Sequence, residues 1–296
     1  MSVTASYEHL IKIFSEWAEK RSDIRAACVI GSRARTDHPA DEWADLDLIV
    51  ITTNPEYYLS KTSWIDELGK PLLTFLETTP ASETRERRVL FEGMLDVDFN
   101  ILKQEIAAEL LRPGAQQRSP KLLVDVFGRG MRILIDRDQM LTKLRTFVSS
   151  VVKSPPLKPT EEEFLGVIND FLYHVVFSAK HLRRGELWWT VQCLDSYLQE
   201  LMKTMIEWHA LATSDWKRDV WFRGRFLEEW ANPEDTGALS KAFAHYDKND
   251  VKQSLTASMA LFSRVAKETA RILGYQYPDA ADKKITDWIK AILSVK

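Results

Sequence analysis

Cysteine is nearly absent from this chain of 296 residues. Cys28 and Cys193 stand far apart inside apolar patterns, which excludes a disulfide framework or a cysteine metal site and reads as two small core residues in a reducing compartment. Glycine and proline are scarce, 11 of each, so collagen-like and low-complexity organisation is out. No stretch reaches 18 uninterrupted apolar residues, and Met1 to Tyr7 has neither the basic start nor the apolar run of a signal peptide. A cytoplasmic protein with no membrane partner is therefore expected. An excess of positive charge is missing as well: 40 Lys plus Arg face 43 Asp plus Glu, a net charge of −3, which disfavours long nucleic acid as a partner. There is no GxxxxGK[ST] phosphate loop, no HExxH and no paired-cysteine motif.

What is present is core material. With 45% hydrophobic residues, the length suits two domains better than one. Residues 1 to 100 carry 11 basic and 18 acidic side chains, an acidic end that attracts metal ions or a cationic ligand. Tyr7, Leu10, Ile11, Phe14, Trp17 and Ala18 recur at helical spacing behind the possible caps Thr4 and Ser6. Strand-like runs follow at Ile24 to Ile30, Leu46 to Thr52, Leu72 to Glu77, Arg88 to Glu92 and Leu95 to Leu102, with a hairpin turn at Glu92-Gly93. Ile106 to Leu111 and Gln139 to Val148 read as helices, and Leu122 to Phe127 and Met131 to Ile135 as weaker strands. The prolines of KSPPLKPT, Lys153 to Thr160, interrupt any helix, and Thr160 before three glutamates opens a new one. The boundary is placed there, giving domains 1–153 and 154–296. Beyond it, helices are expected over about 161–183, 187–211, 216–230, 250–273 and 282–293. The fold class is α+β: a mixed sheet with helices, then a helical bundle.

The stretch from Val29 to Ile51, VIGSRARTDHPADEWADLDLIVI, concentrates the chemistry. A buried strand ends in a Gly-Ser turn, and a second strand opens with Asp45-Leu46-Asp47. Alternate residues of a strand share a face, so the two carboxylates project together about 6 to 7 Å apart while Leu46 and Leu48 enter the core. Gly31 permits close backbone approach, and Ser32 with the following amides is expected to open a helix whose N-terminus receives phosphate. On the later strand Leu95, Val97, Phe99 and Ile101 alternate with Asp96, Asp98 and Asn100, so a neighbouring strand offers a third acid. Three converging carboxylates suit Mg²⁺, in an arrangement that bridges a nucleoside triphosphate and an attacking hydroxyl, the third acid also serving as a general base. Strand, Gly-Ser turn, DxD strand and a second acidic strand together form the signature of the nucleotidyltransferase superfamily typified by DNA polymerase beta.

The chain resembles one branch of it, the aminoglycoside 6-adenylyltransferases, whose bacterial members inactivate streptomycin. The likeness rests on GSRAR followed by DEWADLDLIV, on MLDVDFNIL, on NDFLYHVVFSAKHLRRGEL and on GYQYPDAADKKITDWI, and runs from about residue 25 to the C-terminus. It implies a polymerase-beta-like nucleotidyltransferase domain and a helical domain, with ATP and drug meeting between them. By this resemblance Asp45 and Asp47 hold Mg²⁺, Gly31 and Ser32 meet phosphate, and Asp98 fits the third position better than Asp96, which shares its face. Lys180 is the candidate cation for the triphosphate. Asp170 is a candidate for a guanidinium or amine of the acceptor, and Glu186 is another of the same kind. The chain departs from that pattern at Ala34-Arg35, where the resemblance leads to the expectation of a small or polar pair in drug-modifying members. The expected reaction is transfer of AMP from ATP to a hydroxyl of an aminoglycoside, at position 6 of streptomycin. The alternatives are another small-molecule or protein acceptor, or a non-catalytic nucleotide-binding, antitoxin-like module. Seven of the ten tryptophans lie in the helical half, and none is assigned to the site.

Overall fold

Residues 3–78, 85–110, 120–151 and 156–294 are described in a computed structural model. The chain divides into two compact units, Met1–Lys153 and Ser154–Lys296. Of the proline-rich junction, Lys153, Ser154 and Pro155 lie outside the described residues.

In the first unit, α1 (Val3–Glu19) buries Tyr7, Leu10, Ile11, Phe14, Trp17 and Ala18 along one stripe. It begins at Val3, so Thr4 and Ser6 lie inside the helix and not ahead of it. The chain continues through β1 (Ile24–Ile30), β2 (Leu46–Thr52), α2 (Pro55–Ser60), β3 (Pro71–Thr78), β4 (Arg85–Phe91), β5 (Leu95–Lys103), α3 (Gln104–Leu110), α4 (Pro120–Phe127), β6 (Arg132–Asp136) and α5 (Met140–Ser150). Leu111, the last residue of the helix expected from Ile106, lies outside the described residues. The expected strand Leu122–Phe127 is a helix instead. Pro120 suits a first helical turn, and Leu123, Val124 and Phe127 meet the core at helical spacing.

The six strands form one sheet in the order β3-β4-β5-β2-β1-β6. The β2–β5 pair is parallel and sets Asp47 beside Asp98, whereas β4 runs antiparallel to β5 and sets Arg88 opposite Asp98. Period-two alternation divides the sheet between two cores. Leu46, Leu48, Val50, Val97, Phe99 and Ile101 face α1 and α2. Ile49, Ile51 and Leu102 face α3, α4 and α5. Asp47 and Asp98 share the face of Ile49 and Leu102 but lie nearer the strand starts, and both are only half-buried.

The second unit is helical: α6 (Glu161–Arg183), α7 (Leu187–Gln192), a π-helical turn Cys193–Leu198, α8 (Gln199–Thr213), α9 (Leu227–Trp230), α10 (Pro233–Leu239), α11 (Lys248–Leu273) and α12 (Asp279–Ser294). Thr160 and Glu163 cap α6 reciprocally. Of the helix expected over 216–230 only the last turn, Leu227–Trp230, is α-helical. Asp215, Trp216, Arg223 and Phe226 all take positive φ, and the chain winds so that Trp216, Trp221 and Trp230 are each buried. Aromatic burial overrides local propensity there. Within this unit His209 lies between two acids, its Nδ1 3.1 Å from Asp235 and its Nε2 3.2 Å from Glu268. Arg264 grips the fully buried Asp235 at 2.6 Å.

Candidate active site

β1 ends at Ile30 because the chain must turn at once, and Gly31 makes that turn with φ +69°. A Cβ there would stand 2.3 Å from Asp47 Oδ2, so a side chain is strained by the backbone and would displace the Asp47 carboxylate. The helix expected after Ser32 is a single 3₁₀ turn, Gly31–Arg33, because the chain needs to leave promptly for the loop that leads to β2. Ser32 Oγ is buried and has no hydrogen-bond partner among the described residues. A buried hydroxyl without a partner costs about 1–3 kcal/mol, a cost that an incoming oxyanion would offset.

Asp45, Asp47 and Asp98 come together so that one oxygen of each lies within 4.8 Å of the others. Register alone places two of them, Asp47 and Asp98, on adjacent parallel strands. Arg33 places the third. Its guanidinium stacks 3.7 Å from the Tyr7 ring centroid, donates to Asp45 O at 2.8 Å, and also grips Ala44 O. Tyr7 in turn donates to Asp96 Oδ1 at 2.7 Å and accepts from the Asp96 amide at 3.2 Å. Asp96 is thereby engaged away from the cluster, which separates two acids that the sequence leaves equivalent. Burial, with the hydrogen bond to Asp96, raises the Tyr7 phenol well above its usual range.

Asp98 is strongly perturbed. Its side chain is 14% exposed, and burial pushes its carboxyl up to about 6. Arg88 pulls the other way, and Glu86, Asp45 and Asp96 add to the rise. Arg88 bridges Asp98 at 3.2 Å, Glu86 at 2.9 Å and Glu77 at 2.8 Å. Reading the sequence identified none of Tyr7, Arg33, Glu86 and Arg88 as site residues. The arginine of GSR was a signal for one of them, but the other contacts join residues remote in the chain.

The donor set is all hard oxygen, of the kind that hexacoordinate Mg²⁺ prefers. With the unpartnered Ser32 hydroxyl and the close-approach glycine beside it, the residues fit a divalent ion carrying a phosphate chain. A family model described as streptomycin adenylyltransferase matches residues 4–292. The chain belongs to the streptomycin adenylyltransferase family. It is accordingly a nucleotidyltransferase, an enzyme of the aminoglycoside adenylyltransferase branch of that superfamily. It is 22% identical to an aminoglycoside 6-adenylyltransferase of Campylobacter jejuni over 96% of this chain and 94% of that one. It is also 22% identical to the Staphylococcus aureus protein of the same name, over 96% and 97%. A solved aminoglycoside 6-adenyltransferase from Bacillus subtilis is similar at 18% identity and a TM-score of 0.45, covering 96% of this chain and 97% of its own.

The other candidate residues of this streptomycin adenylyltransferase family member lie in the second unit. Asp170, on α6, accepts from the Tyr197 hydroxyl at 2.8 Å and lies 2.7 Å from His174 Nδ1. Glu186 is engaged by His181 and by Arg184 at 2.8 Å, and the hydrogen bond from His181 holds its carboxyl below the usual range. Lys180 is exposed in the last turn of α6. Arg35 donates to His38 O at 2.7 Å. No helix among the described residues is long and apolar enough to cross a membrane.

Proposed function

We propose that the chain transfers AMP from ATP to a hydroxyl of an aminoglycoside, position 6 of streptomycin, and releases pyrophosphate. The observation that carries this reading is the three-aspartate cluster beside the unpartnered Ser32 hydroxyl, in a chain that matches the family along nearly its full length. Asp45, Asp47 and Asp98 would hold Mg²⁺, which when bound supplies charge neutralisation for the triphosphate. Asp98, its carboxyl pushed up to about 6 by burial, accepts the proton of the acceptor hydroxyl. That oxygen bonds to the α-phosphorus, and the bond from the α-phosphorus to the bridging oxygen breaks as pyrophosphate leaves. Ser32 and the turn amides hold phosphate oxygens, and Gly31 lets them approach. Lys180 neutralises the triphosphate, and Asp170 and Glu186 receive the acceptor's cationic groups in exchange for their histidine partners. In this reading residues 1–153 are the polymerase-beta-like catalytic domain and residues 154–296 bind nucleotide and acceptor.

Pyrophosphate release by purified protein with ATP and Mg²⁺, with and without streptomycin, tests the proposal. Streptomycin-dependent release that is lost in Asp47→Asn with the fold intact is expected. An unaffected rate in Asp47→Asn refutes the metal assignment, and wild-type silence with streptomycin refutes the acceptor.

A further inference from the structure

Trp43 is 85% exposed, the extreme among the exposed tryptophans. Trp188 lies against Tyr246, and Trp189 against Phe177 and His181. Trp43 has no ring contact among the described residues. A large indole left in water on a mobile loop would need no explanation, but this loop is tied at several points. The Trp43 amide donates to Asp41 Oδ1 at 2.9 Å, and the Ala40 amide donates to Ser32 O at 2.9 Å. Immediately after Trp43, Arg33 holds the carbonyls of Ala44 and Asp45. The indole is therefore presented, not loose. A single residue, Ala44, separates it from Asp45, so its Cα stands within about 7 Å of that ligand's Cα.

Its neighbours define what it can receive. Asp41 and Glu42 precede it, both exposed, and Glu42 has no ion-pair partner among the described residues. Asp37, earlier in the loop, is paired with Arg129 at 3.0 Å, and Arg35 is turned to His38 O. An aromatic face beside free carboxylate attracts a cation twice, through the ring quadrupole and through charge. An adenine base would gain only the stacking. We infer that Trp43, assisted by Glu42, is a specificity-determining residue that receives a guanidinium or ammonium group of the acceptor at the edge of the aspartate cluster. This rests on the acceptor reading above and extends it to the catalytic unit.

Steady-state kinetics of the full chain with Mg-ATP and streptomycin provide the test, comparing Trp43→Ala, Trp43→Phe and Glu42→Gln with wild type. Trp43→Ala should raise the KM for streptomycin about 3- to 30-fold while the KM for ATP stays within about twofold. Trp43→Phe should recover most of the loss, and Glu42→Gln should raise the same KM by a smaller factor. Because the side chain is solvent-exposed, the melting curves should coincide. Wild-type turnover with an unchanged streptomycin KM in Trp43→Ala overturns the role of Trp43 alone, and so does a rise confined to the KM for ATP, which would assign the indole to adenine. A wild-type chain without streptomycin-dependent release overturns the acceptor reading, and this inference falls with it.

Discussion

Replacing Asp98 by Asn should abolish transfer and yet make the metal-free protein more stable. The Asp98 carboxyl ionises near 6 in the fold against 3.8 for an unperturbed aspartate, so the folded state disfavours its charged form. That penalty is absent below about pH 4, where the group is protonated in both states. It grows through the window from 4 to 6 and is complete above it. Roughly two units at 1.36 kcal/mol each make it about 3 kcal/mol, an upper figure because Asn also gives up the Arg88 pairing. Urea denaturation in EDTA from pH 4 to 8 is the assay. Wild type should lose stability relative to Asp98→Asn as pH rises from 4 to 6, with a constant gap thereafter. Mg²⁺ should then stabilise wild type by mass action and leave Asp98→Asn nearly unmoved. A variant that is less stable than wild type at pH 7 in EDTA, or a gap independent of pH, would refute the reasoning.

Three further outcomes follow from the geometry. Ser32→Ala removes a buried hydroxyl that lacks a partner, so stability without nucleotide should hold or rise while the KM for ATP increases about tenfold or more; thermal melts and kinetics read the two effects separately. Gly31→Ala forces a Cβ to 2.3 Å from Asp47 Oδ2 at φ +69° and should cost about 1–2 kcal/mol in backbone strain alone, with Mg²⁺-dependent stabilisation lost in the same melts. Asp235→Asn breaks the buried cluster with His209 and Arg264 and should destabilise the second unit by about 3 kcal/mol or more, as followed by urea denaturation.

Much of the first unit was legible because period-two alternation is a strong signal. Leu46-Asp47-Leu48 and Val97-Asp98-Phe99 each announce a strand whose apolar face is buried and whose acids share the other face. What alternation cannot express is pairing. Asp96 and Asp98 occupy equivalent positions in the pattern, and what distinguishes them is the register that sets Asp98 beside Asp47 together with the Tyr7 hydroxyl, 89 residues from Asp96 in the chain, that engages Asp96. Arg88 was likewise silent, since its place opposite Asp98 is a property of sheet order. The misread segments have local causes. Leu122 to Phe127 holds two valines, which favour a strand in isolation, but its apolar residues also suit a helix against the second core. Residues 216–230 show helical spacing of apolar residues, yet three non-glycine positive-φ positions within them, and Asp215 just before, accompany the burial of three tryptophans.

The Tyr7–Arg33–Asp45 stack means that the aim of one metal ligand is borrowed from the opening helix. Trimming the first turn and a half of the chain would leave every acidic residue of the cluster in place. It would nevertheless unseat the guanidinium that steadies Asp45 and release Asp96 to compete with Asp98 for the same ion. Tags or fusions joined at that end should therefore be judged by metal affinity as well as by yield.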